Sequence, residues 1–250
     1  MTRIKRSALD RLLETLSWDG ADIRKYRQGG AGQENVLTTE VLSALDFLPR
    51  SFLGLVLRSA HGDESTLDHV AAEAEQAEIT LLGEDVFLRP SGASHGERMT
   101  LQPDAVIDMP GTYVLVEAKR IRRPADFGPD QLAKSLAVAV TQAAARRALV
   151  LIVMGTPPPI ALRGGGGSQL TIEDSIAEHL PMIAASSDFD LDAGNMIKRL
   201  NETVAWITWD EIRDLCQAHL ARFDETADEV RSSIARLVDS IVFVVIERHC

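Results

Sequence analysis

The chain has little of several features that would indicate particular classes of protein. It contains two cysteines in 250 residues, Cys216 and Cys250, too few for a disulfide framework or a cysteine-based zinc site. Aromatic residues make up 5% of the sequence, and no apolar run approaches the roughly 20 residues that a membrane-spanning helix needs. Residues 1–18 carry charges where a secretory signal would be apolar. We therefore expect a cytoplasmic protein without membrane spans.

Basic residues are also in deficit. Lys and Arg number 26 against 37 Asp and Glu, a formal net charge of −11, which argues against nucleic-acid binding over the whole surface. The charge is unevenly distributed, because residues 117–147 hold seven basic and three acidic side chains, whereas residues 171–230 hold four basic and fourteen acidic ones. Any contact with nucleic acid is therefore expected on one face only.

The first half of the chain predicts helices followed by strands. A chain of this length with 45% hydrophobic residues can bury a core without covalent crosslinks. Helical spacing of apolar residues recurs in three stretches, 7–18, 33–48 and 67–77, and Pro49 is expected to end the second. Strand-like patterns follow in three more, 79–88, 104–109 and 112–119. The change of period indicates a mixed α/β protein.

The second half continues this pattern. An Ala-rich helix at 129–147 and an apolar strand at 148–154 follow the strand at 112–119, and this order implies a right-handed parallel crossover. After a flexible glycine run at 164–167, helices are expected at 172–185, 210–221 and 226–248, with a helix-then-strand stretch at 196–209. We expect one domain over residues 1–250, with a core at about 33–155 and a helical C-terminal extension at about 168–250. Its predicted fold is a mixed central sheet flanked by helices, with extra helices at both ends.

The residues that carry chemistry lie in the predicted hairpin. If the Pro-Gly pair at 110–111 forms its tight turn, Asp104 lies opposite Glu117, with the two Cβ atoms about 4.5–5.5 Å apart. Strand alternation places Lys119 on the same face as Glu117. Two carboxylates this close repel each other unless a cation lies between them, and a small set of oxygen ligands suits Mg²⁺ or Mn²⁺. Such a set supports metal-assisted hydrolysis of a phosphodiester bond.

Pro103-Asp104 followed by Glu117-Ala118-Lys119 resembles the motif of the PD-(D/E)xK nuclease superfamily. The resemblance implies a restriction-endonuclease-like core, which the predicted elements supply in the right order from about residue 33 to residue 154. It implies that the two carboxylates bind the metal and that the lysine orients the attacking water. It also implies an acidic residue on the first core helix, either Glu34, our first choice, or Glu40.

Further expected site residues lie after the hairpin. Gln131, in the Ala-rich helix, matches a position where the superfamily often has an active-site Gln or Lys, and it would position the phosphate or the water. Lys134 follows on the same helix face. The basic run beyond Lys119 lies next to the expected metal site and is predicted to contact phosphate through Arg120, Arg122 and Arg123.

The sequence therefore predicts a divalent-metal-dependent nuclease that acts on DNA, with RNA as the alternative substrate, in a restriction or defence setting. Because one active site cuts one strand, double-strand cleavage would require a homodimer or a larger assembly. One alternative keeps the fold without the chemistry, as a catalytically silent nucleic-acid-binding or assembly subunit. Another treats Asp104, Glu117 and Lys119 as an ordinary exposed ion-pair set on a hairpin, which needs no function.

Overall fold

The computed structural model describes residues 33–88, 99–119, 126–162, 169–224 and 227–247. The helix expected at 7–18 and the glycine run at 164–167 lie outside these residues. The helices are α1 Gln33–Phe47, α2 Arg50–Ser59, α3 Glu64–Ala72, α4 Gln131–Ala143, α5 Ile172–Ser186, α6 Ala193–Lys198, α7 Leu200–Thr203, α8 Trp209–Arg222 and α9 Asp228–Glu247. Within the described ranges, no helix has the length and apolar character to cross a membrane.

A mixed five-stranded sheet forms the centre of the α/β fold. The strands are β1 Glu78–Leu81, β2 Val86–Leu88, β3 Met99–Leu101, β4 Ala105–Asp108, β5 Thr112–Ala118, β6 Asp126–Phe127, β7 Arg147–Met154, β8 Ile160–Leu162, β9 Gln169–Leu170 and β10 Val204–Thr208. The central sheet has the order β1-β4-β5-β7-β10, in which β4 is antiparallel to β1 and β5, whereas β5, β7 and β10 are parallel. The strand expected at 196–209 therefore joins the central sheet.

Helices cover both faces of this sheet, so β5 is buried along its whole length. Val114, Val116 and Ala118 face one core, which contains apolar side chains of α1, α2, α3, α8 and α9. Tyr113 and Leu115 face the other core, which is formed with α4 and α5. Strands that are covered on both faces have nearly continuous apolar sequences, as β5 and β7 do.

The hairpin register agrees with the prediction. Ala105 pairs with Val116 and Asp108 with Tyr113, and the amide of Met109 donates to the carbonyl of Thr112 at 2.9 Å. The Pro-Gly turn thus joins β4 to β5 with the expected residues opposed. Strands β5 and β7 are parallel and are connected through α4, as the strand-helix-strand order predicted.

One local prediction was wrong, and one helix was not predicted. The run at 79–88 is not one strand, because Leu82 has a positive φ of 48° and the chain turns there, so that β1 and β2 belong to different sheets. Pro49 ends α1 but also precedes a further helix, α2, with its own buried residues, including Phe52 and Val56. A proline at the start of a helix removes no intrahelical hydrogen bond, so it can begin an element as well as end one.

Candidate active site

The predicted motif lies where β4 begins and β5 ends. Pro103 and Asp104 are held by the turn after β1, because the amides of Leu82 and Gly83 donate to the carbonyls of Asp104 and Pro103 at 2.8 and 3.0 Å. A Cβ atom on Gly83 would lie 3.3 Å from the Pro103 ring, so this turn packs tightly against the motif. The turn that divides β1 from β2 therefore fixes the backbone that carries Asp104.

Asp104 is linked directly to the end of β5. Its Oδ2 atom accepts a hydrogen bond from the amide of Ala118 at 2.7 Å. Continuing the observed hairpin register by one residue places Asp104 opposite Glu117, as predicted. The two carboxylates therefore occupy neighbouring strands at one end of the sheet.

Glu117 and Lys119 form a buried ion pair. Lys119 Nζ lies 2.8 Å from Glu117 Oε1, and the side chains are only 9% and 3% exposed. Burying two charges costs several kcal/mol per ion before their attraction is counted, and stability alone rarely favours it. This burial argues against an ordinary solvated ion pair at Glu117 and Lys119, because an exposed pair would keep its hydration.

Helix α4 supplies two more donors to Glu117. Gln131, the first residue of α4, donates a hydrogen bond from Nε2 to Glu117 Oε1. The Oε1 atom of Gln131 accepts a hydrogen bond from the Gly128 amide at 3.1 Å, and this bond orients the side-chain amide. Ser135, one turn later and fully buried, has its Oγ 3.3 Å from Glu117 Oε2 and 3.0 Å from the Gln131 carbonyl, and its single hydroxyl proton is shared between these two acceptors. Both oxygens of Glu117 thus accept hydrogen bonds from α4.

Lys119 is held on several sides. Its ammonium lies 5.0 Å from the ring centre of buried Phe127, a favourable cation–π geometry. Its amide donates to the Val153 carbonyl at 2.7 Å, and its carbonyl accepts from the indole Nε1–H of Trp209 at 2.6 Å. The sequence alone assigns Phe127 and Trp209 no role at the site, because no local pattern relates them to a lysine elsewhere in the chain.

The structure brings together four predicted site residues, Asp104, Glu117, Lys119 and Gln131. The arginines expected to contact phosphate, Arg120, Arg122 and Arg123, lie outside the described residues. Lys134 is on α4 as expected, and its Nζ forms an ion pair with Asp130 Oδ2 at 2.6 Å.

The two candidates for the extra metal ligand are on α1. Glu34 lies in the first turn of the helix, but its side chain is outside the described part of the chain. Glu40 lies mid-helix with a buried Oε2 atom. Helix α1 contributes to the core on the sheet face opposite α4, whereas Glu117 bonds to α4. The hydrogen bonds to Glu117 given above come from α4 and from Lys119, the residue after β5, and both α1 assignments stay predictions.

The donor chemistry of the site suits a hard divalent cation. Across the described ranges, no three His, Cys, Asp or Glu side chains lie together closely enough to hold a metal ion. Mg²⁺ nevertheless needs only one or two carboxylates, because it retains several waters and takes further oxygens from a phosphate substrate. Asp104 and Glu117, on adjacent strands, provide such a pair, so the residues present fit Mg²⁺ or Mn²⁺.

Two other reactive groups do not form a comparable site. Asp108, on the same strand face as Asp104, is exposed near the turn and pairs with Arg146. Cys216 is buried in the α8 core, and burial raises the pKa of its thiol to about 12, so it is not a nucleophile near neutral pH. The Glu117–Lys119 centre is thus the best-developed polar site in the described part of the chain.

No family model and no curated protein matches the chain. A search of solved structures finds similarity to the crystal structure of the protein of unknown function AF1548, with 10% sequence identity over 80% of this chain and 91% of that one and a TM-score of 0.25.

Proposed function

We propose that this protein is a divalent-metal-dependent nuclease of the PD-(D/E)xK type, with a restriction-endonuclease-like core, that hydrolyses phosphodiester bonds in DNA. The observation that carries the proposal is the buried Glu117–Lys119 pair at the end of β5, beside Asp104 and under two donors from α4. A buried charged pair surrounded by oriented donors supports a functional role, because stability alone rarely favours burying two charges.

The proposal assigns a role to each group. Asp104 and Glu117 would hold Mg²⁺ or Mn²⁺, which supplies Lewis-acid activation of the phosphodiester and of a water. Lys119 orients the attacking water and offsets negative charge that develops on the phosphate. Gln131 bonds to Glu117 and fixes the direction of that carboxylate. This role differs from the direct contact with phosphate or water that the sequence alone predicted for Gln131.

The substrate and the metal can be tested together. The purified full chain is incubated with supercoiled DNA, linear DNA and RNA in Mg²⁺, Mn²⁺ or EDTA. We expect metal-dependent cleavage of DNA that EDTA abolishes. DNA binding without cleavage in either metal would instead support the silent binding subunit, and cleavage confined to RNA would correct the substrate.

Asp104→Asn tests the site itself. An asparagine still accepts the hydrogen bond from the Ala118 amide but lacks the charge that binds a metal, so we expect the fold to persist and the cleavage rate to fall at least a hundredfold. Asp108→Asn is the matched control, because Asp108 lies on the same strand face but is exposed at the turn. Equal loss of activity in both variants would contradict the assignment.

A further inference from the structure

Trp209 connects the C-terminal half of the chain to the site. It is the first residue of α8, directly after β10, and its side chain is fully buried. Its indole Nε1–H donates to the carbonyl of Lys119 at 2.6 Å across 90 positions of sequence. Because β5 and β10 both run parallel to β7, their carboxyl ends meet at one edge of the sheet, which brings these two residues together.

The bond completes the fixation of the Lys119 backbone. Its amide donates to Val153 of β7 and its carbonyl accepts from Trp209, so the peptide groups on both sides of its Cα atom are held. The direction of the Lys119 side chain from Cα follows from these two peptides. That direction carries the ammonium to Glu117 and over the ring of Phe127.

Trp209 is itself held by the start of α8. Thr208 and Glu211 form a capping box, in which each side chain accepts a hydrogen bond from the backbone amide of the other residue. Glu211 also bonds to His61 Nε2 at 2.7 Å, and residue 61 pairs with β10 through backbone hydrogen bonds to Trp206. The helix start that aims the indole is therefore fixed to the edge of the sheet.

We propose that Trp209 is a positioning residue, which holds the Lys119 backbone so that its ammonium lies at Glu117. This inference rests on the proposed nuclease function of the same site. A misplacement of about 1 Å at a reacting group can cost up to about a hundredfold in rate, and partial loosening of Lys119 is expected to cost about tenfold.

The test removes one N–H group and keeps the aromatic volume. The chain has three tryptophans, and Trp18→Phe with Trp206→Phe gives a reference protein whose single indole is at position 209. Replacing that tryptophan with 3-benzothienylalanine, in which sulfur takes the place of the N–H, gives a matched partner that still fills the buried site. We expect kcat for DNA to fall about tenfold with KM within about twofold of the reference.

A second measurement does not depend on cleavage. The buried ammonium of Lys119 should give a slowly exchanging side-chain ¹⁵N signal, assigned by its loss in Lys119→Met. In the benzothienyl protein we expect this signal to broaden or shift. If kcat and the ammonium signal both equal those of the reference, Trp209 has no positioning role. If the wild-type chain itself cleaves nothing, the nuclease proposal fails while the ammonium signal still decides whether Trp209 positions Lys119.

Discussion

At the scale of single residues, Glu117 is where the polar contacts of the site converge. Lys119 and Gln131 donate to one of its oxygens, and Ser135 donates to the other. These donors come from the residue directly after β5 and from two turns of α4, so the carboxylate direction is fixed by the packing of helix on sheet. A preorganised carboxylate of this kind can bind a cation without first losing side-chain freedom.

Ser135→Ala should weaken both catalysis and folding. The variant removes the donor to Glu117 Oε2 and is expected to reduce the cleavage rate about fivefold to tenfold and the free energy of unfolding by about 1 kcal/mol. Thr141→Ala is the control, because Thr141 lies on the same helix and its hydroxyl donates to the Ala137 carbonyl four residues earlier, as Ser135 does to Gln131. Cleavage rates and urea unfolding midpoints are measured for both variants. A rate loss in Thr141→Ala equal to that in Ser135→Ala would contradict the role of Ser135.

The sequence could predict some of these contacts and not others. The Pro-Gly turn sets the register of the hairpin, and this register predicts that Asp104 lies opposite Glu117. Side chains alternate between the two faces of a strand, which predicts that Glu117 and Lys119 share a face. The burial of Glu117 did not follow, because it depends on α4 packing over the end of β5. The indole of Trp209 reaches Lys119 through the order of strands in the sheet, which the local pattern does not encode.

At the scale of elements, the β4–β5 turn is fixed from outside the hairpin. Glu73, after α3, accepts the Gly111 amide at 2.7 Å and the Thr112 hydroxyl at 3.1 Å. Pro110 has a fixed negative φ and therefore excludes the primed turns, which are the commonest in two-residue hairpins. The carboxylate supports this turn by accepting two donors at its tip, and this helps maintain the register that opposes Asp104 to Glu117.

Gly111→Ala should destabilise the protein by displacing Glu73. A Cβ atom there would lie 2.7 Å from Glu73 Oε1, so the flexible carboxylate must move and lose its hydrogen bonds, at a cost of about 1–2 kcal/mol. Glu73→Ala should cost a similar amount, and the double variant should cost little more than either single one. Urea denaturation measures all three; fully additive costs would show that the two residues act independently.

The capping box of α8 predicts an acid-dependent contribution to stability. Burial opposes ionisation of Glu211, but hydrogen bonds from His61 and Thr208 outweigh it and lower the pKa below the usual 4.5. A lowered folded-state pKa stabilises the protein above the unfolded-state value and loses that effect as the pH falls through the folded value. Glu211→Gln should therefore be less stable than wild type near pH 7, and the difference should shrink below about pH 4.5. A difference that stays constant from pH 7 to pH 3 would contradict this assignment.

The predicted elements differ from the observed ones mainly where the chain turns. Long periodic stretches such as α4, β7 and α9 were predicted within a few residues of their bounds. Helix α2 was missed because a proline was read only as a stop. The division between β1 and β2 was missed because Leu82 adopts a left-handed conformation that apolar side chains seldom take.

At the scale of the whole molecule, the charge distribution determines how DNA could be bound. A net charge of −11 repels the DNA backbone at long range, while residues 117–147 carry a local +4. Weak binding through one face is the expected result, and it should depend strongly on salt and on a divalent cation at the site.

The salt dependence of DNA binding tests whether DNA binds through this basic face. If Arg120, Arg122, Arg123 and Lys134 each contact a phosphate, the logarithm of the association constant should fall with the logarithm of salt concentration with a slope of about −3.6. Replacing the three arginines with alanine should reduce the slope to about −0.9. Fluorescence anisotropy with labelled duplex DNA measures both slopes, and an unchanged slope would place the phosphate contacts elsewhere.

We propose the buried Glu117–Lys119 pair, with Asp104, as a metal-dependent catalytic centre. The most direct measurement is the Mg²⁺- or Mn²⁺-dependent rate at which wild type and Glu117→Gln nick supercoiled DNA, with both proteins shown to be folded by their unfolding transitions. Glutamine keeps the size of the side chain but removes the charge, so we expect metal-dependent nicking by wild type and at least a hundredfold lower rate in the variant. Nicking by Glu117→Gln at the wild-type rate would contradict it.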